Sequence, residues 1–196
     1  MKKDIILAGV GGQGIMSIAA IIGTAAMGAN LHLKQAEVHG MSQRGGDVHS
    51  NLRLSDKPVA SDLIPKGQTD LIISVEPMEG LRYISMLAED GWLITNSTPH
   101  VNINNYPDID VIKNEIKSLP RHVLIDADDI AKDLGIRRAA NMVILGAALP
   151  HLGMDIQLFQ DAINTIFGRK GEEVVKLNIE ALQAGIDFSK SVSQQS

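Results

Sequence analysis

Gly9-Val10-Gly11-Gly12-Gln13-Gly14 follows a short apolar run and precedes a helical one, and in that setting G-x-G-x-x-G spacing has physical meaning. Glycines there permit a tight turn and a close backbone approach, and the unpaired N–H groups that open the next helix can hold a phosphate or another anion. Gly9, Gly11, Gly12, Gln13 and Gly14 are therefore candidate ligand-binding residues. Glu37 stands roughly 20 residues beyond them, where a dinucleotide enzyme keeps its ribose-binding carboxylate. An independent NAD- or FAD-binding oxidoreductase is one reading of this set. Glycines that serve only to pack the helix tightly on its strand are the bland one.

A second polar, glycine-bearing stretch runs from His39 to Gly46. Arg44 can fork onto a phosphate or carboxylate, and Gly45 and Gly46 can offer backbone donors beside it. Arg44 can equally pair with Glu37 or Asp47 and simply order the loop. His39 can stabilise charge or act in acid–base chemistry, although a lone His in a polar loop is usually a hydrogen-bonding residue. His32 and His49 lie on expected strands and read as structural. No His and carboxylate pairs recur at ligand spacing, so no metal site is expected.

The elements that must position these residues alternate. Asp4–Gly9 reads as a strand, Gln13–Met27 as a helix and Leu31–Val38 as a second strand. Val48, Ser50, Leu52 and Leu54 alternate with polar neighbours, which predicts a half-exposed third strand. Leu71–Val75 predicts a buried strand, followed by a helix from Pro77 to about Glu89. Asp90-Gly91 then turns the chain into a strand at Trp92–Thr95. Val111–Lys117 predicts a short element, and His122–Ile125 a strand with Asp126 or Asp128 capping the next helix. Arg138–Leu149, Asp155–Phe167 and Glu172–Ala184 predict helices. The whole reads as α/β, Rossmann-like, a mainly parallel sheet with helices on both faces. Residues 1–188 are expected to form one domain and 189–196 a polar tail.

Asn96 can cap the turn after its strand, while Asn141, inside an apolar helix, needs a buried partner for its amide. Met142, Leu145 and Leu149 read as core. Met16, Met27 and Met41 could supply an adaptable apolar interface.

Composition narrows the function. The 196 residues contain no cysteine, so the chain can form neither a disulfide nor a thiolate-ligated iron–sulfur cluster, and a cytoplasmic setting is expected. The net charge of −5 and the 3% aromatic content give no nucleic-acid footprint. The glycines of the turn interrupt the N-terminal apolar stretch, which argues against a membrane anchor.

Taken with the glycine turn, Glu37–Gly46 resembles the gamma-subunit domain of the 2-oxoacid:ferredoxin oxidoreductases, the family of pyruvate, ketoisovalerate and indolepyruvate enzymes. Asp47–Arg53, Asp70–Glu76 with Glu79 and Arg82, Asn96, and Asn141 with Leu145-Gly146-Ala147 continue the resemblance to about residue 185. The stand-alone small subunit of the indolepyruvate-type enzymes fits best. The resemblance implies a complex that decarboxylates a 2-oxoacid on thiamine diphosphate, sends electrons through iron–sulfur clusters to ferredoxin and passes the acyl group to coenzyme A. This chain has no Gly-Asp-Gly…Asn-Asn thiamine signature, so those cofactors are expected on a large partner subunit and no residue here is expected to be catalytic. Completing the active site or contacting coenzyme A is left to this chain, with ferredoxin reached through the complex and a homodimer open to the isolated chain. A pure interaction module is the remaining alternative. The two loops are expected together at the carboxyl ends of adjacent parallel strands.

Overall fold

A computed structural model describes residues 1–39 and 46–193, with the side chains of His39 and Ser193 left aside. Six strands form one sheet: β1 (Lys2–Val10), β2 (His32–His39), β3 (Asp47–Ser55), β4 (Thr69–Ser74), β5 (Leu87–Asn96) and β6 (His122–Ile125), in the order β2-β3-β1-β4-β5-β6. The run β1-β4-β5-β6 is parallel. Strand β3 is antiparallel to both its neighbours, so the sheet is mainly parallel.

Apolar side chains point to both faces, as a doubly covered sheet requires. Ile5 and Leu7 of β1, Leu71 and Ile73 of β4 and Ile94 of β5 face the larger core. That core is covered by α1 (Ile15–Gly28), α4 (Ala127–Asp133), α5 (Ala140–Leu152), α6 (Ile156–Phe167) and α7 (Glu172–Ser193). Ile6, Ile72 and Leu93 face the smaller one, under α2 (Pro77–Arg82) and α3 (Ile109–Ser118). Helix α5 is apolar around its whole circumference, from Met142 to Leu149. It can be so because it is enclosed between the sheet and α7.

Three expectations change, and one is refined. Strand β3 keeps the expected alternation, with Val48, Ser50, Leu52 and Leu54 buried and Asp47, His49 and Arg53 only partly so, although Asn51 on the second face is buried too. It lies inside the sheet between β1 and β2, and period-two alternation carries no information about how many neighbours a strand has. The loops therefore do not leave adjacent parallel strands, because antiparallel β3 separates β1 from β2. The helix after Pro77 ends at Arg82 rather than near Glu89, and Asp90-Gly91 lies within β5. Glycine is needed there because a Cβ at Gly91 would stand 2.7 Å from the Thr69 carbonyl oxygen. Finally, α7 runs past Ala184 to Ser193 and takes in residues 189–193 of the expected tail, with Ser189 buried.

Candidate functional site

The glycine turn joins β1 to α1 at the carboxyl edge of the sheet. Gly12 and Gly14 have φ of 102° and 86°, a region that L side chains rarely occupy. Gly14 caps α1 without any side-chain hydrogen bond. Gln13 staples the turn: its Oε1 accepts the Val10 N–H at 2.8 Å and its Nε2 reaches the Val75 carbonyl at 3.5 Å. Gly9 lies so close to Val75 that a Cβ would come within 2.4 Å of its Cγ2. Asn141 finds the partner its burial demands by donating to the Gly14 carbonyl at 3.2 Å. The first residues of α1 and α5 are thereby tied together.

Asn96 does more than cap a turn. Its Oδ1 accepts from Ala127 N at 3.1 Å and Thr98 N at 3.4 Å, and its Nδ2 donates to Asp128 Oδ2 at 2.7 Å and to the Val75 carbonyl at 3.4 Å. Asp126 caps α4 through the Asp129 N–H. The ends of β4 and β5 and the start of α4 form one hydrogen-bonded unit.

That unit and the glycine turn line a cleft of about 720 Å³. Gly12, Gln13, Gly14 and Ser17 form one wall, and Val75, Asn96, Asp128 and Asn141 the floor. Arg137, Arg138 and Lys170 bring positive charge to it. None of the three has a carboxylate within ion-pair distance among the described residues. Asp128 is the carboxylate of the lining, and one of its oxygens is engaged by Asn96. A groove lined by three cations and four amide side chains beside a helix start suits an anionic, hydrogen-bonding ligand.

On its other side the turn borders a smaller cavity of about 310 Å³ lined by Gly11, Ile15, Met16, Glu37 and Val48 among others. The structure thus brings Glu37 to the glycine turn. Gly46 also meets it, its carbonyl accepting the Gly11 N–H at 2.9 Å. His39 lies at the end of β2, and Arg44 and Gly45 fall outside the described residues. Arg137, Arg138, Lys170 and Asn178 were missed in the sequence. The adjacent Arg137-Arg138 pair, just ahead of an apolar helix, was the available signal.

Comparison with known proteins agrees with this architecture. Residues 4–188 match the family described as pyruvate ferredoxin/flavodoxin oxidoreductase. The indolepyruvate oxidoreductase subunit IorB of Archaeoglobus fulgidus is 37% identical over 98% of this chain and 97% of its own length. The gamma subunit of a keto/oxoacid ferredoxin oxidoreductase from Geobacter sulfurreducens superposes with a TM-score of 0.71 at 25% identity, covering 96% of this chain and 99% of that one. The 2-oxoglutarate:ferredoxin oxidoreductase of Magnetococcus marinus, solved with 2-oxoglutarate, coenzyme A and succinyl-CoA bound, shares the fold. Its TM-score is 0.77 at 22% identity, with 97% of this chain covering 31% of that one. The chain belongs to the pyruvate ferredoxin/flavodoxin oxidoreductase family, as a gamma-type α/β subunit.

Proposed function

We propose that this chain is the small subunit of an indolepyruvate-type 2-oxoacid:ferredoxin oxidoreductase, and that its cleft holds the phosphate-bearing part of coenzyme A. The observation that carries the reading is the cleft itself. In a chain of net charge −5, three cations converge on one groove beside a glycine turn and a helix start. Arg137 and Arg138 can each fork onto a phosphate, and Lys170 adds a point charge. Gly12, Gly14 and the first turn of α1 supply backbone N–H groups, while Asn96 and Asn141 hold the floor rigid. The relative from Magnetococcus marinus is solved with coenzyme A and succinyl-CoA bound, alongside 2-oxoglutarate, which supports coenzyme A as the ligand.

The thiamine diphosphate and iron–sulfur clusters belong to a large partner subunit on this reading, because a chain without cysteine offers no thiolate to a cluster. The partner would carry out decarboxylation and pass electrons to ferredoxin. This chain would bind and orient the acceptor of the acyl group, Glu37 and Gly46 would border the turn, and His39, Arg44 and Gly45 are further candidate contacts.

Isothermal titration of the full chain and of the reconstituted complex tests the assignment. Coenzyme A is expected to bind and NADH and NADPH not to. The double variant Arg137→Ala/Arg138→Ala is expected to weaken coenzyme A binding by roughly tenfold or more, since hydrogen bonds to charged groups are each worth about 1.5–3 kcal/mol. Tighter binding of NADH would return the chain to the independent dinucleotide reading. Unchanged affinity in the double variant would remove the ligand from this cleft.

A further inference from the structure

On the face of the sheet opposite the cleft, five ionisable side chains meet beneath the glycine turn. Asp47 and His49 project from β3 on the side away from Val48, which faces the larger core. Tyr83, just after α2, lies between them. Its hydroxyl is 2.8 Å from His49 Nδ1 and donates to Asp47, whose two carboxylate oxygens are 3.2 and 3.3 Å away. The two ring centroids lie 4.7 Å apart, with the planes tilted by 41°. Glu79 of α2, almost fully buried, is gripped by Arg82 through two hydrogen bonds of 2.7 and 3.1 Å.

One tautomer of His49 satisfies every contact of this network. An ionised carboxylate only accepts and a phenol carries one proton. With that proton directed at Asp47, His49 must present Nδ1–H to the phenol oxygen. Burial supports the same arrangement: it pushes the Tyr83 hydroxyl well above its ordinary range and lowers His49, so both stay neutral. Burial likewise raises Glu79, and Asp47 adds to that while Arg82 opposes it. The result is a directed chain from imidazole to phenol to carboxylate.

Its far end is where the glycine turn is attached. Asp47 pairs with Val10 in the β1–β3 register, and the residue before it, Gly46, accepts the Gly11 N–H. Val10 in turn donates to Gln13. Holding Asp47 therefore holds both ends of β1's exit into the turn. Desolvating several titratable groups costs stability that an apolar contact would not, so the network is a poor choice for stability and a good one for direction.

We propose that His49, Tyr83 and Asp47 form a positioning relay that fixes the glycine turn for ligand binding in the cleft across the sheet. The proposal rests on the cleft being the coenzyme A site, but its first test does not. In Tyr83→Phe the ring still covers His49 while both hydrogen bonds are lost. Amide exchange of residues 10–14 in the unliganded full chain is expected to quicken by roughly tenfold, the scale of one net hydrogen bond. In the reconstituted complex, KM for coenzyme A is expected to rise by about fivefold or more with KM for the 2-oxoacid unchanged, a loss confined to one substrate's binding. His49→Asn, which sets an amide N–H near the Nδ1–H position, should keep both values close to wild type. Asp47→Asn, which weakens the acceptor without changing its shape, should loosen the turn in the same direction if Tyr83→Phe does not assemble. Unchanged exchange at residues 10–14 would overturn the relay, as would KM values for both substrates rising together. Faster exchange with an unchanged KM for coenzyme A would support the relay and overturn the coenzyme A reading of the cleft.

Discussion

Asp4 shows how a charge can be buried without strain on the fold. Its side chain is 1% exposed and takes two hydrogen bonds from Arg53, at 2.7 and 3.1 Å, while Lys2 stands at 2.8 Å. Arg53 also donates from Nη1 to the carbonyls of Ser61 and Leu63, which pins the segment after β3 to the sheet. Burial alone would raise the Asp4 pKa, but the bonds from Arg53 and Lys2 outweigh it and hold the group below its ordinary value. A depressed folded value gives stability that is fully present above the unfolded Asp value of about 3.9 and lost as pH falls through the folded one. Acid titration of the folded chain should show this loss below that value. Arg53→Met should weaken it and, by leaving the buried carboxylate with Lys2 alone, destabilise the chain by about 1.5–3 kcal/mol, the worth of a hydrogen bond to a charged group, in urea denaturation at pH 7. A cost under about 1 kcal/mol, the value of an exposed pair, would mean that water reaches Asp4.

Helices α5 and α7 touch backbone to backbone. A Cβ at Gly146 would stand 2.0 Å from the Leu182 carbonyl oxygen, and one at Gly185 would stand 2.0 Å from that of Val143. The contact is reciprocal, each glycine lying against the other helix. It brings α7 close enough for Val174 and Asn178 to line the cleft that α5 opens with Asn141. Gly185→Ala should therefore push the helices apart and destabilise the chain by about 1–3 kcal/mol, the range for an overpacked core. That loss would exceed the gain of up to about 1 kcal/mol that Gly→Ala gives in an unobstructed helix. Equal or higher stability in denaturant would show that the crossing can slide to admit a methyl group. The same displacement should weaken binding of the ligand proposed for the cleft, since the lining residues carried by α5 and α7 would part.

At the scale of the molecule, the cleft and the exposed surface beside it are where a partner is expected. The chain has one organised cleft at the carboxyl edge, where open α/β sheets take their ligands. It has no cysteine, and no helix among the described residues is long and apolar enough to cross a membrane. Met16, beside the turn, and Val38, at the end of β2, are about half exposed. Both suit burial against a partner. The purified chain is expected to be colourless and inactive with indolepyruvate, coenzyme A and a redox dye. On adding the large subunit, hydrogen exchange should slow in residues 9–16 and 38–47. Protection of a different face with those residues unchanged would make the domain a remote scaffold.

The α/β class, the glycine turn and most strand positions were legible in the sequence because they depend on local requirements. A positive φ at Gly12 and Gly14 needs glycine, and a strand such as Leu71–Ile73, buried on both faces, needs an unbroken apolar run. Asn141 was legible as a residue in want of a partner, though the partner, the Gly14 carbonyl, was not. Tertiary structure alone decided that β3 enters between β1 and β2 and runs antiparallel, since alternation specifies the faces of a strand but neither its direction nor its neighbours. It also decided the site. Arg137, Arg138 and Lys170 come from segments far from the turn in sequence, and Tyr83 meets Asp47 and His49 across separations of 36 and 34 residues. No periodicity records these meetings, because they depend on how the elements stack.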